Sequence, residues 1–162
     1  MLKYLWLTLL VIIVDLSSKA IVSEHFYLYE VLVVIPHWFN LTLAHNSGAA
    51  FSFLANESGW QRWFFAAIAL LVSVVIFFWI KRLQAHEHWL AIALALVLGG
   101  ALGNLWDRLT LGYVVDFLDF YYQNGTQAMH WPAFNVADMA ISMGAFLLIV
   151  DALFSKDSSQ QK

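Results

Sequence analysis

Two runs of 18 residues without a charged side chain, Trp63 to Ile80 and Trp89 to Trp106, constrain this chain most. As helices at 1.5 Å per residue, each spans about 27 Å, close to the hydrocarbon thickness of a bilayer. Residues 2–22 and 133–154 form two more predominantly apolar segments. Composition agrees: 62% of residues are hydrophobic and 12% charged, against about 45–50% and about 25% in soluble domains. A soluble fold would leave much of this apolar surface uncovered, so the expected solvent is lipid. The eight tryptophans fall mostly near the ends of the apolar runs, where interfacial belts place them.

The expected fold class is an all-α polytopic membrane protein. One membrane-embedded domain covers 1–154, with helices at about 2–22, 63–80, 89–108 and 133–154, and a polar tail covers 155–162. A cleaved leader is the competing reading of the first segment. It is disfavoured because Asp15, Ser17, Ser18 and Lys19 follow the uncharged run where a small-x-small cleavage site would stand. Residues 23–61 lack a span. Val31 to Ile35 is β-branched and apolar, and Phe39, Leu41 and Leu43 alternate with Asn40, Thr42 and Ala44, the period of a half-buried strand. A turn at Asn46-Ser47-Gly48 and an apolar piece from Ala49 to Leu54 complete a small sheet-like element outside the membrane. Four spans put both termini on one side, with Lys3, Lys81, Arg82, Lys156 and Lys162. The positive-inside rule makes that side cytoplasmic, so residues 23–61 and the 107–131 loop face outward.

Net charge of −3 gives no reason to expect nucleic acid as a partner, and the absence of cysteine excludes thiolate chemistry. His86 and His88 sit in the cytoplasmic loop, and two histidines do not fill a zinc site; no metal and no cofactor are expected.

The chemistry lies where polar groups meet membrane segments. An ionisable residue at membrane depth costs roughly 2.5–3.5 kcal/mol on insertion scales and is a functional candidate for that reason. Asp15 and Lys19 are four apart on the first helix and can pair. In the third segment Ala91, Ala95, Gly99 and Gly103 recur every four residues as a close-packing stripe that Asp107 extends. Asn104 and Arg108 are also four apart, so amide and guanidinium can meet. In the fourth segment Asn135, Asp138 and Ser142 share a face, and with Pro132 at the helix start Asp138 falls about two turns in. Asp116, in Val114-Val115-Asp116-Phe117, stands just before this segment. Two close carboxylates share a proton, so one can activate water while the other polarises a carbonyl. By residue type alone the same pair suits a small ion- or proton-coupled transporter, although its polar groups gather at one face rather than through the membrane. A Ser18–Lys19 peptidase is poorly placed, because adjacent helical residues point about 100° apart.

Asp15 with Lys19, Asn46-Ser47-Gly48-Ala49-Ala50-Phe51, Gly103-Asn104-Leu105-Trp106-Asp107-Arg108, Val114-Val115-Asp116-Phe117 and Phe134-Asn135-Val136-Ala137-Asp138 resemble, in order, the motif blocks of bacterial lipoprotein signal peptidase, signal peptidase II. The resemblance implies four transmembrane helices with an extracytoplasmic β-cradle between the first two. It implies an aspartic endopeptidase of the bacterial inner membrane that cleaves a diacylated prolipoprotein just before its lipid-bearing cysteine. By motif position Asp116 and Asp138 are the catalytic pair, and Asn46, Asn104, Asp107, Arg108 and Asn135 support the site or contact substrate. Asp15 and Lys19 are read as supporting structure. A monomer with its active site near the outer leaflet is expected. Asp119, three residues after Asp116, is the position most easily mistaken for the catalytic acid. The connection from Phe117 to Ala137 is slightly long for the family, with an apparent extra turn at Gln123-Asn124-Gly125-Thr126.

Overall fold

The computed structural model describes residues 1–48, 59–125 and 127–154. The Ala49 to Leu54 stretch, Thr126 and the 155–162 tail lie outside the described residues.

Among the described residues, four helices are long and apolar enough to cross a membrane. They are α1 (Leu5–His25, preceded by a single 3-10 turn at Leu2–Tyr4), α2 (Trp60–Arg82), α3 (His88–Thr110) and α4 (Val136–Phe154). The third is the central one: it packs on each of the other three, and Ala91, Ala95, Gly99 and Gly103 along its stripe are all buried. The stripe explains the close approach. A Cβ at Gly99 would lie 2.7 Å from Val11 Cβ on α1, and one at Gly103 would lie 2.5 Å from Asp15 Oδ2. On another face, a Cβ at Gly100 would collide with the Ala137 carbonyl oxygen of α4. Small residues matter here because helices in lipid gain no hydrophobic drive from associating and depend on packing and hydrogen bonds. Thr8 adds one such bond, donating to the Ala95 carbonyl at 2.9 Å.

The sheet corrects the all-α expectation. It has four antiparallel strands in the order β1 (Val31–Ile35), β2 (Phe39–Asn46), β3 (Val114–Asn124) and β4 (Gln127–His130). The cradle is therefore not confined to residues 23–61: half of its strands come from the segment expected to be a loop between α3 and α4. The extra turn at 123–125 is the tip of the β3–β4 hairpin, where Gly125 takes φ +64°. Irregular pairing between Leu41 and Ala44 shifts the β2–β3 register, setting Ala44 opposite Asp116 and Asn46 opposite Val114. Asn46 then lies diagonal to Asp116, within side-chain reach.

The second correction concerns α4. It starts at Val136, not at 133. Phe134 exchanges backbone hydrogen bonds with Leu118 (3.0 and 2.8 Å), and Phe117 N–H donates to the same Phe134 carbonyl at 3.0 Å. These bonds pin the chain after Pro132 against β3 before the helix can begin. Asp138 consequently falls in the first turn rather than two turns in.

At the other junction, Arg62 at the start of α2 donates to the Arg108 and Leu109 carbonyls at 2.6 and 2.8 Å. A cation on the last carbonyls of α3 satisfies groups the helix leaves unpaired and complements its dipole.

Gly100→Val should destabilise the protein by about 1–3 kcal/mol, the usual cost of overpacking. A thermal melt of purified detergent-solubilised protein should show a lowered midpoint.

Candidate active site

Lys19 and Asp15 come from one face of α1, and both are buried, at 2% and 0% exposure. Lys19 Nζ lies 2.7 Å from Asp15 Oδ2 and 2.9 Å from Asp107 Oδ2, and donates to Asn104 Oδ1 at 2.9 Å. The second Asp15 oxygen accepts the backbone N–H of Ala137 at 2.8 Å, and Asp107 Oδ2 also accepts the Val115 N–H at 3.1 Å. One buried ammonium thus ties α1 to α3, while its two carboxylates reach the start of α4 and the start of β3. Taking ions out of water costs several kcal/mol each unless their remaining hydrogen-bonding positions are filled. Here they are filled largely by backbone N–H groups that needed partners.

Two asparagines, Asn104 and Asn135, lie between this cluster and a second pair of acids, and a third, Asn46, bonds to one of those acids from β2. Asn135 caps α4 reciprocally: its Oδ1 accepts the Asp138 N–H at 2.9 Å, and its own N–H donates to Asp138 Oδ2 at 3.4 Å. This is a capping box with aspartate in the return position. The Asn135 amide N–H₂ donates to Asp116 Oδ1 (2.7 Å), the Val115 carbonyl (3.2 Å) and Asn104 Oδ1 (3.3 Å). Asn104 Nδ2 donates to Asp138 Oδ1 at 2.8 Å, and Asn46 Nδ2 donates to Asp116 Oδ2 at 2.9 Å. Asp116 is 3% exposed. Its carboxyl is pushed up to about 7, chiefly by burial and also by the nearby Asp138 charge, against the Asn46 and Asn135 hydrogen bonds and the Lys19 charge.

Both acids line a cleft of about 1260 Å³ between the sheet face and α4, along with Asn46, Asn104, Arg108 and Ser142. Asn135 is fully buried and hydrogen-bonds to both acids. Asp15, Lys19 and Asp107 sit behind the cleft lining. The structure therefore brings all nine expected site residues into one connected region, in two layers. One detail differs from expectation. Arg108 does not meet the Asn104 side-chain amide; its Nη1 donates to the Asn104 backbone carbonyl at 3.3 Å, and its Cζ lies 5.5 Å from the Phe65 ring centroid. Ser18 is turned away from proton transfer with Lys19, as the helical spacing predicts: its Oγ donates to the Asp15 carbonyl at 2.9 Å.

Asp119 also lines the cleft, with different partners. Asn40 Nδ2 donates to it at 2.8 Å, and His130 Nδ1 faces both its oxygens at 2.9 and 3.0 Å. This carboxylate fastens the β3–β4 hairpin to β2. Three further groups at the cleft or its wall were missed from sequence: His45, His130 and Asn40. His45 stacks on Tyr113 with centroids 3.8 Å apart, and burial lowers its imidazole below the ordinary range. No spacing signal marks these residues. Only the strand register, with Asn40 opposite Asp119, would have found one of them.

Comparison with known proteins agrees with this architecture. Residues 7–154 match the family described as Signal peptidase (SPase) II. The chain is 55% identical over 159 residues to "Lipoprotein signal peptidase" of Pseudomonas aeruginosa (strain UCBPP-PA14), covering 98% of this chain and 92% of that protein. It is 53% identical over 161 residues to the protein of the same name from Photorhabdus laumondii subsp. laumondii, covering 99% and 93%. Among solved structures, one described as a bacterial membrane enzyme determined by the in meso method at 2.3 Å resolution superposes with a TM-score of 0.83. It is 31% identical, with 99% of this chain and 92% of that chain covered. With four helices of membrane-spanning character, a small antiparallel sheet and sequence similarity running almost end to end, this chain belongs to the signal peptidase II family.

Proposed function

We propose that this chain is an aspartic endopeptidase that removes the signal peptide from diacylglyceryl-modified prolipoproteins, cutting just before the lipid-bearing cysteine, with Asp116 and Asp138 as the catalytic pair. Membership of the family makes the chain a multi-pass membrane peptidase, a hydrolase. The finer reading rests on one observation: carboxylates from β3 and α4 line one cleft and both accept hydrogen bonds from the single buried residue Asn135.

The chemistry needs two acids in opposite protonation states. The ionised one takes a proton from water as the hydroxide oxygen bonds to the scissile carbonyl carbon. The protonated one gives its proton to the carbonyl oxygen, yielding a gem-diol. In the second step one gem-diol proton returns to the second acid, the first protonates the leaving nitrogen, and the C–N bond breaks. Both acids end as they began. Burial that pushes Asp116 towards neutral pH suits a carboxyl that must stay protonated in an enzyme working near 7.

Lys81 and Arg82 at the end of α2 and Lys3 before α1 support cytoplasmic termini by the positive-inside rule, and with them a sheet and cleft at the outer leaflet. The scissile bond beside a lipid-modified cysteine would lie at that level. The substrate's acyl chains stay among lipid while its peptide enters between the sheet and α4. Both acids and all three asparagines come from one chain, so the proposed site needs no residue from a second copy, which supports a monomer.

Asp116→Asn and Asp138→Asn should each lower kcat by at least about 10²-fold, the lower range for loss of an acid–base group. A gel-shift assay on a purified diacylated precursor reads this directly. Asp119→Asn, which disturbs only the hairpin fastening, should keep activity within about tenfold of wild type. Equal loss at Asp119 would contradict the assignment. For pH, the sign follows from a raised carboxyl: Asp116 is protonated below about 7 and loses its proton above it. The rate should therefore fall as pH rises through and beyond 7, and Asp119→Asn should leave that limb in place.

A further inference from the structure

The orientation of a side-chain amide is usually ambiguous, because its oxygen and nitrogen look alike. In this site both central amides are fixed by partners that can only donate. Lys19 Nζ carries no acceptor and touches Asn104 at 2.9 Å, so the Asn104 atom facing it is oxygen and the N–H₂ faces Asp138 Oδ1 at 2.8 Å. The backbone N–H of Asp138 fixes Asn135 likewise, oxygen towards α4 and N–H₂ towards Asp116 Oδ1. Flipping Asn104 would set its oxygen against a carboxylate oxygen and its N–H₂ against an ammonium.

We propose that Lys19 is a positioning residue for catalysis: by holding the Asn104 oxygen it commits the Asn104 N–H to Asp138, which makes Asp138 the water-activating carboxylate and leaves Asp116 as the proton carrier. The inference rests on the dyad reading above and adds the division of labour within it. Asp116 also accepts two amide N–H groups, from Asn46 and Asn135, which favour its charge, but burial opposes that charge more strongly. Asp138 stands in the first turn of α4, where the helix dipole favours a negative charge, and is the more solvent-exposed of the two acids. Asp116 lies on a strand, 3% exposed. Arg108 on α3, Asp119 on β3 and His130 on β4 line the same cleft. Behind it Lys19 faces Asp15 on its own helix and Asp107 on α3, which hold the ammonium in place.

The test measures kcat, KM and the pH dependence of kcat/KM on a diacylated precursor for wild type, Lys19→Met, Asn104→Ala and the double variant. Thermal midpoints are recorded for each. With the Asn104 donor lost or free to flip, the acid limb of kcat/KM should move up by about one pH unit. That is the displacement expected when a carboxylate loses a charge-assisted hydrogen bond. kcat should fall about tenfold or more with KM within about twofold. The double variant should be no worse than the poorer single one, because the lysine acts through the amide. A purely structural lysine would lower the midpoint and the active fraction while leaving the limb where it was, and that result overturns the proposal. So does full additivity. If Lys19→Met does not accumulate, Asn104→Ala, which leaves the Lys19 ion pairs intact, decides by the same limb: displaced supports the proposal, undisplaced overturns it. Failure of the dyad reading is separate, because it would show as activity surviving in Asp116→Asn or Asp138→Asn.

Discussion

Everything at this site depends on an ammonium buried at the end of α1. Lys19 meets two carboxylates and an amide oxygen within 2.9 Å, at 2% exposure. Removing one partner from such a cluster strands the others, at a cost of about 3–5 kcal/mol. The fold therefore has few alternatives. Asp15 reaches the α4 backbone at Ala137, and Asp107 reaches β3 at Val115, and each N–H gives its carboxylate a further hydrogen bond. A stripe of small residues on α3 permits the approach, and Gly103 is small because Asp15 occupies the space a side chain would need.

From that anchor the site is built outward in layers. Charges lie deepest, the amides of Asn104 and Asn135 form a middle layer, and the two acids face the cleft. The amides lie between the deep ion cluster and the carboxylates of Asp116 and Asp138, bonding to both. They are suited to it because each offers a donor and an acceptor on opposite atoms. Asp138 serves twice, returning the cap of α4 and presenting an oxygen to the cleft. A helix start inside a membrane protein must satisfy its free N–H groups, and Asn135 and Asp15 between them bond those of Asp138 and Ala137. The structural need and the proposed catalytic placement are met by the same bonds.

Much of this was legible in the sequence, for identifiable reasons. The four spans follow from apolar runs long enough to cross a bilayer. The Asp15–Lys19 pair follows from helical spacing, and the stripe from a period of four. Asp116 and Asp138 stood out because five short blocks, each weak alone, occur together in a specific order. The second half of the sheet was not legible. Val114 to Phe117 is buried at four consecutive positions, so the alternation that betrays a half-exposed strand is missing. Pairing of β3 with β2 also depends on contacts about 70 residues apart in the chain, which no local pattern encodes. The start of α4 was misplaced because Pro132 suits a helix start in isolation. Tertiary hydrogen bonds from Phe134 to β3 override that preference. His45 and His130 escaped notice because they belong to no spacing motif and reach the site only through strand register.

The central claim, that acids from β3 and α4 act on one substrate atom, is tested most directly by a crystal structure of the protein with a precursor peptide whose scissile carbonyl is replaced by a hydroxyl-bearing carbon. The account predicts that this hydroxyl lies within hydrogen-bond distance of carboxylate oxygens of both Asp116 and Asp138. A peptide seated in the cleft with its hydroxyl against only one of them, or against neither, would contradict it.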